Sequence, residues 1–183
     1  MDLLPAITAR LTLRRFRDDD LPLFLAYRCD PQVALFQDWS SIDAEAARDF
    51  IQYHQRAPFG VPGRCFQIAI VLKETDVLIG DIGACLKADD PTAAEVGITL
   101  SRENQGKGFA SEALRKVLTI MFDEIRVERI EAVTDSRNLG SIALLRRMGM
   151  TQDKTEQTWF KGSACTEYTF AMSRREWLSI EQP

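Results

Sequence analysis

The chain has 183 residues, 45% of them hydrophobic and 27% charged, which is the balance of a single domain, 1–183, that can bury roughly 70% of its unfolded surface without disulfide or metal staples. Its 27 acidic and 23 basic side chains give a formal charge of -4 with no Lys/Arg block, which argues against nucleic-acid binding driven by charge. No apolar run of about 18 residues predicts a membrane span, and Met1-Asp2-Leu3-Leu4-Pro5 lacks the basic and apolar regions of a secretory signal, so a cytoplasmic protein is expected.

Residues 7–16 alternate Leu11 and Leu13 with Arg10, Thr12 and Arg14, the period of a half-buried strand. Asp18-Asp19-Asp20 offer capping carboxylates before Leu21-Pro22 and a first helix with Leu23, Phe24 and Tyr27 on its apolar face. Ser40 or Ser41 is the expected cap of a second helix running to about Gln55. In it Ala47, Phe50, Ile51 and His54 share one stripe, which makes His54 a packing residue rather than a base. Residues 64–73 and 77–86 read as a hairpin around Glu74-Thr75-Asp76, 93–100 as a strand, and 109–125 as the strongest helix, with Ala110, Ala113, Leu114, Val117, Leu118 and Met121 on one face. A strand over 129–134, a short helix over 138–148 stopped by Gly149, and a hairpin of 156–161 with 165–172 complete the order β, α, α, β, β, β, α, β, α, β, β. Trp159 and Tyr168 are expected in the core. The closing hairpin could pair across a homodimer, although an edge strand can also be protected within a monomer.

Cys29, Cys65, Cys85 and Cys165 stand alone, with one histidine in the chain, so no zinc cluster or other metal site is expected. Three of the four fall in predicted strands, where reduced thiols pack as small hydrophobes. A nucleophilic, covalent role for Cys85 is disfavoured, because no activating base is near it in sequence.

The chemistry concentrates in Gln105-Gly106-Lys107-Gly108-Phe109-Ala110, between the strand 93–100 and the long helix. Unpaired N–H groups and the positive end of the helix dipole make an anion site there, and glycines let a phosphate approach the backbone. Lys107 either adds a charged contact or is simply solvated. The third glycine and βαβ setting of a dinucleotide fingerprint are missing, as is the Gly-Lys-Ser/Thr of a P-loop.

With Gln105, Gly108 and Ala110 matching the pattern Q/R-x-x-G-x-G/A, flanked by Ala94-Glu95-Val96-Gly97-Ile98-Thr99-Leu100 and Ser111-Glu112-Ala113 and followed by Asn138-x-x-Ser141, the chain resembles the GNAT N-acetyltransferases. Thr8 to Arg14 and Asp30-Pro31-Gln32-Val33 are similar to the branch that acetylates N-terminal amines of ribosomal proteins, a branch whose members also take other amines. The resemblance implies the acyl-CoA N-acyltransferase fold, an α/β (α+β) architecture with a mixed, mostly antiparallel central sheet flanked by helices. It implies acetyl-CoA as donor: the main chain of Ile98, Thr99 and Leu100 and the Asn138 side chain at the pantetheine arm, and the amides from Gln105 through Gly106, Lys107, Gly108 and Phe109 to Ala110 at the pyrophosphate. A bulge at Gly97 splaying this strand from the strand 129–134 belongs to the same implication.

Acetyl transfer to an amine needs a base, oxyanion stabilisation and a proton for the thiolate. Glu95 is the candidate base, against a solvated strand glutamate, and a backbone N–H near Ile98 is the implied oxyanion donor. Many family members carry a tyrosine seven residues after the asparagine, but here that position is Leu145, and the closing Gly-Phe is Gly149-Met150. Ser141 is the alternative acid, against a plain first-turn serine behind an Asn138 cap. Phe36 and Trp39, in the connection 34–40, form a wall for the acceptor or anchor the core. The leading reading is acetyl transfer to a protein or peptide N-terminal amine; the rivals are a small-molecule amine acceptor (amino acid, polyamine, aminoglycoside) and a non-catalytic acyl-CoA-binding module.

Overall fold

The structure, a computed structural model, describes residues 3–181. The strands are β1 (Ala6–Ile7), β2 (Leu11–Arg14), β3 (Cys65–Leu72), β4 (Leu78–Leu86), β5 (Ala93–Leu100), β6 (Arg129–Asp135), β7 (Thr151–Phe160) and β8 (Ser163–Ser173). The helices are α1 (Leu21–Arg28), α2 (Pro31–Ala34), α3 (Ala44–Arg56), α4 (Phe109–Thr119), α5 (Leu139–Arg147) and α6 (Arg174–Glu181). The eight strands form one sheet in the order β1-β2-β3-β4-β5-β6-β8-β7. β5 and β6 run parallel, whereas β1–β2, β2–β3, β6–β8 and β7–β8 are antiparallel. This is the mixed, mostly antiparallel sheet with helices that the motifs implied.

Two compact units interleave along the chain. The first takes residues up to Phe59, then Phe66–Gly83 and Ile98–Lys116; the second takes Gly60–Cys65, Ala84–Gly97 and residues from Val117 on. In the first unit, Leu11 and Leu13 of β2 and Ile68 and Ile70 of β3 are fully buried, as their alternation requires. Ala69 and Val71, on the other face of β3, pack with Phe16, Phe24, Tyr27, Ala47 and Ile51, so α1 and α3 cover that face. Phe24 meets Phe16 edge-on at 5.5 Å and stacks on Phe50 at 5.0 Å. In the second unit Phe122 stacks on Trp177 of α6 at 5.7 Å, and both rings are buried. α6 lies beyond the last segment that periodicity marked.

Several expected details are corrected. The Asp18–Asp20 carboxylates do not cap α1. They form a 3-10 turn, and Asp20 instead takes Arg14 Nη1 and Nη2, both at 2.8 Å, and the Arg17 N–H at 2.7 Å. A buried guanidinium outcompetes a helix end for that carboxylate because both charges gain. α3 is capped by Asp43, which accepts from the Ala46 N–H at 2.8 Å, not by Ser40 or Ser41. The strand expected over 7–16 is two strands, β1 and β2. The long helix passes into a π-helical turn, Ile120–Glu124, and in the closing hairpin β7 starts earlier than expected, at Thr151, and β8 runs further at both ends, Ser163–Ser173.

Cys65 and Cys85 are not separate thiols but a disulfide. β3 and β4 are neighbours joined by a turn in which Asp76 takes φ +54 and Leu72 N–H donates to Val77 O, and the pairing brings the two Cα atoms to 4.0 Å. Cys29 is exposed; Cys165 is buried, as a packing thiol should be. Trp159, expected in the core, is 74% exposed. The β6–β8 ladder ends at Asp135↔Glu167, so Trp159, opposite Ala164, sits on a two-stranded ribbon with no third strand beside it.

Candidate active site

In the first unit, Leu100 gives way to a 3-10 turn, Arg102–Asn104, closed by Asn104 Nδ2 donating to Ser101 Oγ at 2.8 Å. Gln105 Nε2 then donates to Leu100 O at 3.0 Å, tying the loop to the end of β5. Gly106 and Gly108 hold φ of +72 and +82, a region that side chains with a Cβ rarely adopt. Nothing lies within 4 Å of a Cβ added at Gly106. The chain then enters α4, whose first-turn amides have no intrahelical acceptor. The Gln105 N–H, expected among the donors, is already spent on Arg102 O at 3.2 Å, so the run of backbone donors at this helix N-terminus is 106–110, which suits a diphosphate. Lys107 is exposed, and its carbonyl accepts from Arg10 Nη1 at 3.0 Å.

Sequence reading missed the support for this loop. Glu112 accepts Thr8 Oγ1 at 2.6 Å and the Arg10 N–H and Nε, each at 2.7 Å. The Arg10 guanidinium lies 4.6 Å above the Phe109 ring. Burial works to raise the Glu112 carboxyl, but the bonds from Thr8 and Arg10 hold it below the usual range. Gly80 of β4 was missed as well: a Cβ there would meet Thr99 O at 2.1 Å, so the glycine lets β4 pack tightly on the end of β5. The strand alternation hid Arg10, and an interior strand glycine carries no label for close approach.

In the second unit, the β5–β6 ladder runs from Ala93↔Arg129 to Glu95↔Glu131 and stops, so Val96 and Gly97 have no partner in β6. No neighbour lies within 4 Å of a Cβ at Gly97. Glu95 and Glu131, level with each other on parallel strands, share a face. Glu131 accepts Lys87 Nζ at 2.5 Å and Arg129 Nε at 2.8 Å, and these bonds, against the effect of burial, hold it low. Glu95 is raised instead: desolvation is the largest cause, Lys87 opposes it, and Glu131 and Glu167 add to it. Water reaches the Glu95 side chain, which counts as exposed, while enough protein surrounds the carboxyl to disfavour its charge. One of the two acids is thus neutralised by cations, and the other is left with a raised affinity for a proton, the division that suits a base.

Asn138 caps α5, its Oδ1 accepting the Ser141 N–H at 3.1 Å. Ser141 is half-buried in the first turn. Leu145 and Met150 are 4% and 2% exposed; the position where the resemblance leads one to expect a tyrosine is core here. Phe36 and Trp39 belong to the first unit, both half-buried, and the Trp39 ring lies 3.8 Å from the Arg28 guanidinium. Arg28 Nη2 bonds Asp81 at 2.6 Å, and Tyr27 Oη donates to Asp81 at 3.0 Å. Among the described residues, no group of three or more His, Cys, Asp and Glu is placed to hold a metal, and no helix is long and apolar enough to cross a membrane.

The chain is similar to known acetyltransferases. The family model described as "Acetyltransferase (GNAT) domain" matches residues 10–151. An N-acetyltransferase p20 of Bacillus licheniformis, of uncharacterised role, is 32% identical over 173 residues, 93% of this chain and 96% of that one. A GNAT-family acetyltransferase from Bacillus anthracis has a TM-score of 0.81 at 22% identity, covering 92% of this chain and 98% of its own. RimL, a ribosomal L7/L12 α-N-protein acetyltransferase solved with coenzyme A, has a TM-score of 0.78 at 19% identity over 92% and 97%.

Proposed function

The chain belongs to the GNAT acetyltransferase family and is an N-acetyltransferase, and from that premise we propose that it passes the acetyl group of acetyl-CoA directly to the N-terminal amine of a protein or peptide. The observation that carries the coenzyme assignment is the pair of positive-φ glycines, Gly106 and Gly108, at the mouth of α4. The acceptor class is supported by the likeness to RimL, and by the α-amine's reference pKa of ~7.7–8.0 against ~10.4 for lysine, which demands little of a base.

The amides of Gly106, Lys107, Gly108, Phe109 and Ala110 bind the pyrophosphate, while Gln105, its N–H on Arg102 O and its side chain on Leu100 O, holds the loop in place. The main chain of Ile98, Thr99 and Leu100, with Asn138, holds the pantetheine arm. Glu95 accepts the proton of the amine, directly or through one water, as nitrogen attacks the thioester carbonyl. A backbone N–H near Ile98 faces the oxyanion, the C–S bond breaks, and the Ser141 hydroxyl donates a hydrogen bond to the departing thiolate, which takes its proton from solvent, while Glu95 returns the amine's proton to solvent. Phe36 and Trp39 form the acceptor wall.

The test is thiol release from acetyl-CoA with N-terminal peptides, free amino acids, polyamines and aminoglycosides, beside thermal shift with acetyl-CoA. Turnover on peptides with a free α-amine, abolished by blocking that amine, is expected. Turnover confined to small amines would overturn the acceptor, and stabilisation by acetyl-CoA without turnover on any amine would leave a binding module.

A further inference from the structure

Four residues of the second unit stand in one row across the sheet. Glu95 of β5 is level with Glu131 of β6. The Lys87 N–H donates to Ala93 O at 3.0 Å, which sets the neighbouring strands β4 and β5 antiparallel with Lys87 opposite Ala93. Two residues back along β4, Cys85 is therefore opposite Glu95, and the bridge to Cys65 extends the row to the start of β3. Residues directly opposite on neighbouring strands share a face, with Cβ atoms about 4.5–5.5 Å apart. The disulfide thus lies along the side of Glu95 that Glu131 does not occupy.

This bridge is open to solvent. Cys65 is exposed and Cys85 half-buried, and the chain leading into it, residues 60–64, buries none of its residues. The Gly63 N–H, donating to Leu86 O at 2.9 Å, also ties that segment to β4, so it keeps an anchor when the bridge opens. A dithiol reductant can reach the pair: its thiolate attacks the Cys65 sulfur, the S–S bond breaks, and Cys85 leaves as a thiolate that takes a proton from solvent. The second thiol of the reductant then displaces Cys65 and closes its own disulfide. Two electrons and two protons pass to the protein, and one dithiol is oxidised.

We propose that Cys65–Cys85 is a reversible redox modification site, opened by a dithiol, whose state sets the surroundings of the Glu95 carboxyl. A disulfide has no hydrogen to donate, and it covers one side of Glu95 with sulfur and methylene. A Cys85 thiol donates S–H to a carboxylate, and parted cysteines admit water. Both changes favour the charged form. The other charged groups that act on Glu95 are Lys87 from the connection after β4, Glu131 from β6 and Glu167 from β8, and reduction alters none of them. Glu95 therefore holds its proton less tightly in the dithiol state. This inference rests on where Glu95 stands, not on its catalytic duty.

The test follows the carbon-13 signal of the Glu95 carboxyl, assigned by its loss in E95Q, against pH in the full chain before and after dithiothreitol, with a thiol count and a melting curve for each state. Reduction should release two thiols per chain from the native protein, leave it folded, and move the Glu95 midpoint down by about 0.5 pH unit or more. Reoxidation should return the midpoint. C65S, which keeps the Cys85 thiol, should titrate like the reduced wild type with or without dithiothreitol. The acid limb of kcat/KM should follow; a midpoint that moves while the limb stays fixed supports the redox site and removes Glu95 as the base. No release of thiols from the folded chain, unfolding on reduction, or one midpoint in both states would overturn the proposal.

Discussion

Glu112, on the first turn of α4, grips Arg10 by both backbone and side chain: one carboxylate oxygen accepts the Arg10 N–H and the other accepts Nε, each at 2.7 Å. The clamp joins the start of β2 to the helix that opens with the glycine turn, and through Lys107 O it reaches the turn itself. Because half of the Arg10 side chain is exposed, the ion pair adds little to stability. Its consequence is order in the donors of residues 106–110. Arg10→Ala should therefore raise the acetyl-CoA dissociation constant about tenfold while the melting temperature hardly moves. Calorimetric titration beside a melting curve checks this; an unchanged affinity removes Arg10 from the account.

Gly108 makes a sharper case. Its φ of +82 strains any residue with a Cβ, and that Cβ would lie 3.3 Å from Arg10 Nη2. Gly108→Ala should cost about 1 kcal/mol of stability and, by intruding on the diphosphate path, weaken coenzyme binding by more than the strain alone explains. Comparing the loss of affinity with the loss of stability checks it: equal losses mean that only the backbone is affected.

Much of this was legible in sequence. The buried pattern of β2 and β3, the stripe of α4 and the loop 105–110 follow from period and glycine placement, because those properties are local. What was not legible was long-range pairing. Arg10 and Glu112 are neighbours only in the fold, and Asp20 reads as a cap until Arg14 is placed beside it. The Cys65–Cys85 bridge did leave a trace, since the two lie equidistant from Thr75 in the hairpin turn, but a register is needed before that symmetry means proximity. Trp159 misled because an aromatic in a strand is normally covered, and nothing local shows that β6 stops short of it.

The environment of Glu95 predicts a pH dependence. Burial together with Glu131 and Glu167 raises its pKa, and Lys87 lowers it. A base with a raised pKa loses its working form at a higher pH than a free glutamate, so the acid limb of kcat/KM should lie above the ordinary carboxylate range. Lys87→Met removes the opposing charge and should move that limb further up. Glu95→Gln should flatten the limb and lower kcat by about a hundredfold with the acetyl-CoA affinity intact. A Glu95→Gln enzyme with wild-type turnover from pH 6 to 9 would shift the duty to water.

Arg28 and Asp81 are 8% and 2% exposed in their side chains and bonded at 2.6 Å, with Trp39, Phe24 and Phe50 rings around the guanidinium. Removing one member strands the other in a low dielectric, at a cost of about 3–5 kcal/mol. Arg28→Met should be that damaging, while the paired change Arg28→Met with Asp81→Leu should recover a large part of the loss. Denaturant unfolding of Arg28→Met, Asp81→Leu and the double variant measures this, and additive losses would show that the pair is not coupled.

His54 gives the last prediction. The ring is buried between Phe50 at 4.4 Å and Tyr53 at 4.8 Å, and desolvation, followed by the charge of Arg28, lowers its pKa from 6.5 to about 4. In the unfolded chain it takes up a proton near pH 6.5, whereas in the fold it resists until about pH 4. Between those values the unfolded state binds more protons, so stability falls as pH drops through the window and levels off below it. Relaxation of the surroundings as the ring becomes charged softens the penalty, and a loss on the order of 1–2 kcal/mol is expected. His54→Gln, which cannot titrate, should show a flatter stability profile between pH 6.5 and 4 than the wild type, with carboxylate contributions common to both. Parallel profiles for the two proteins would mean that the imidazole titrates alike in the folded and unfolded chains.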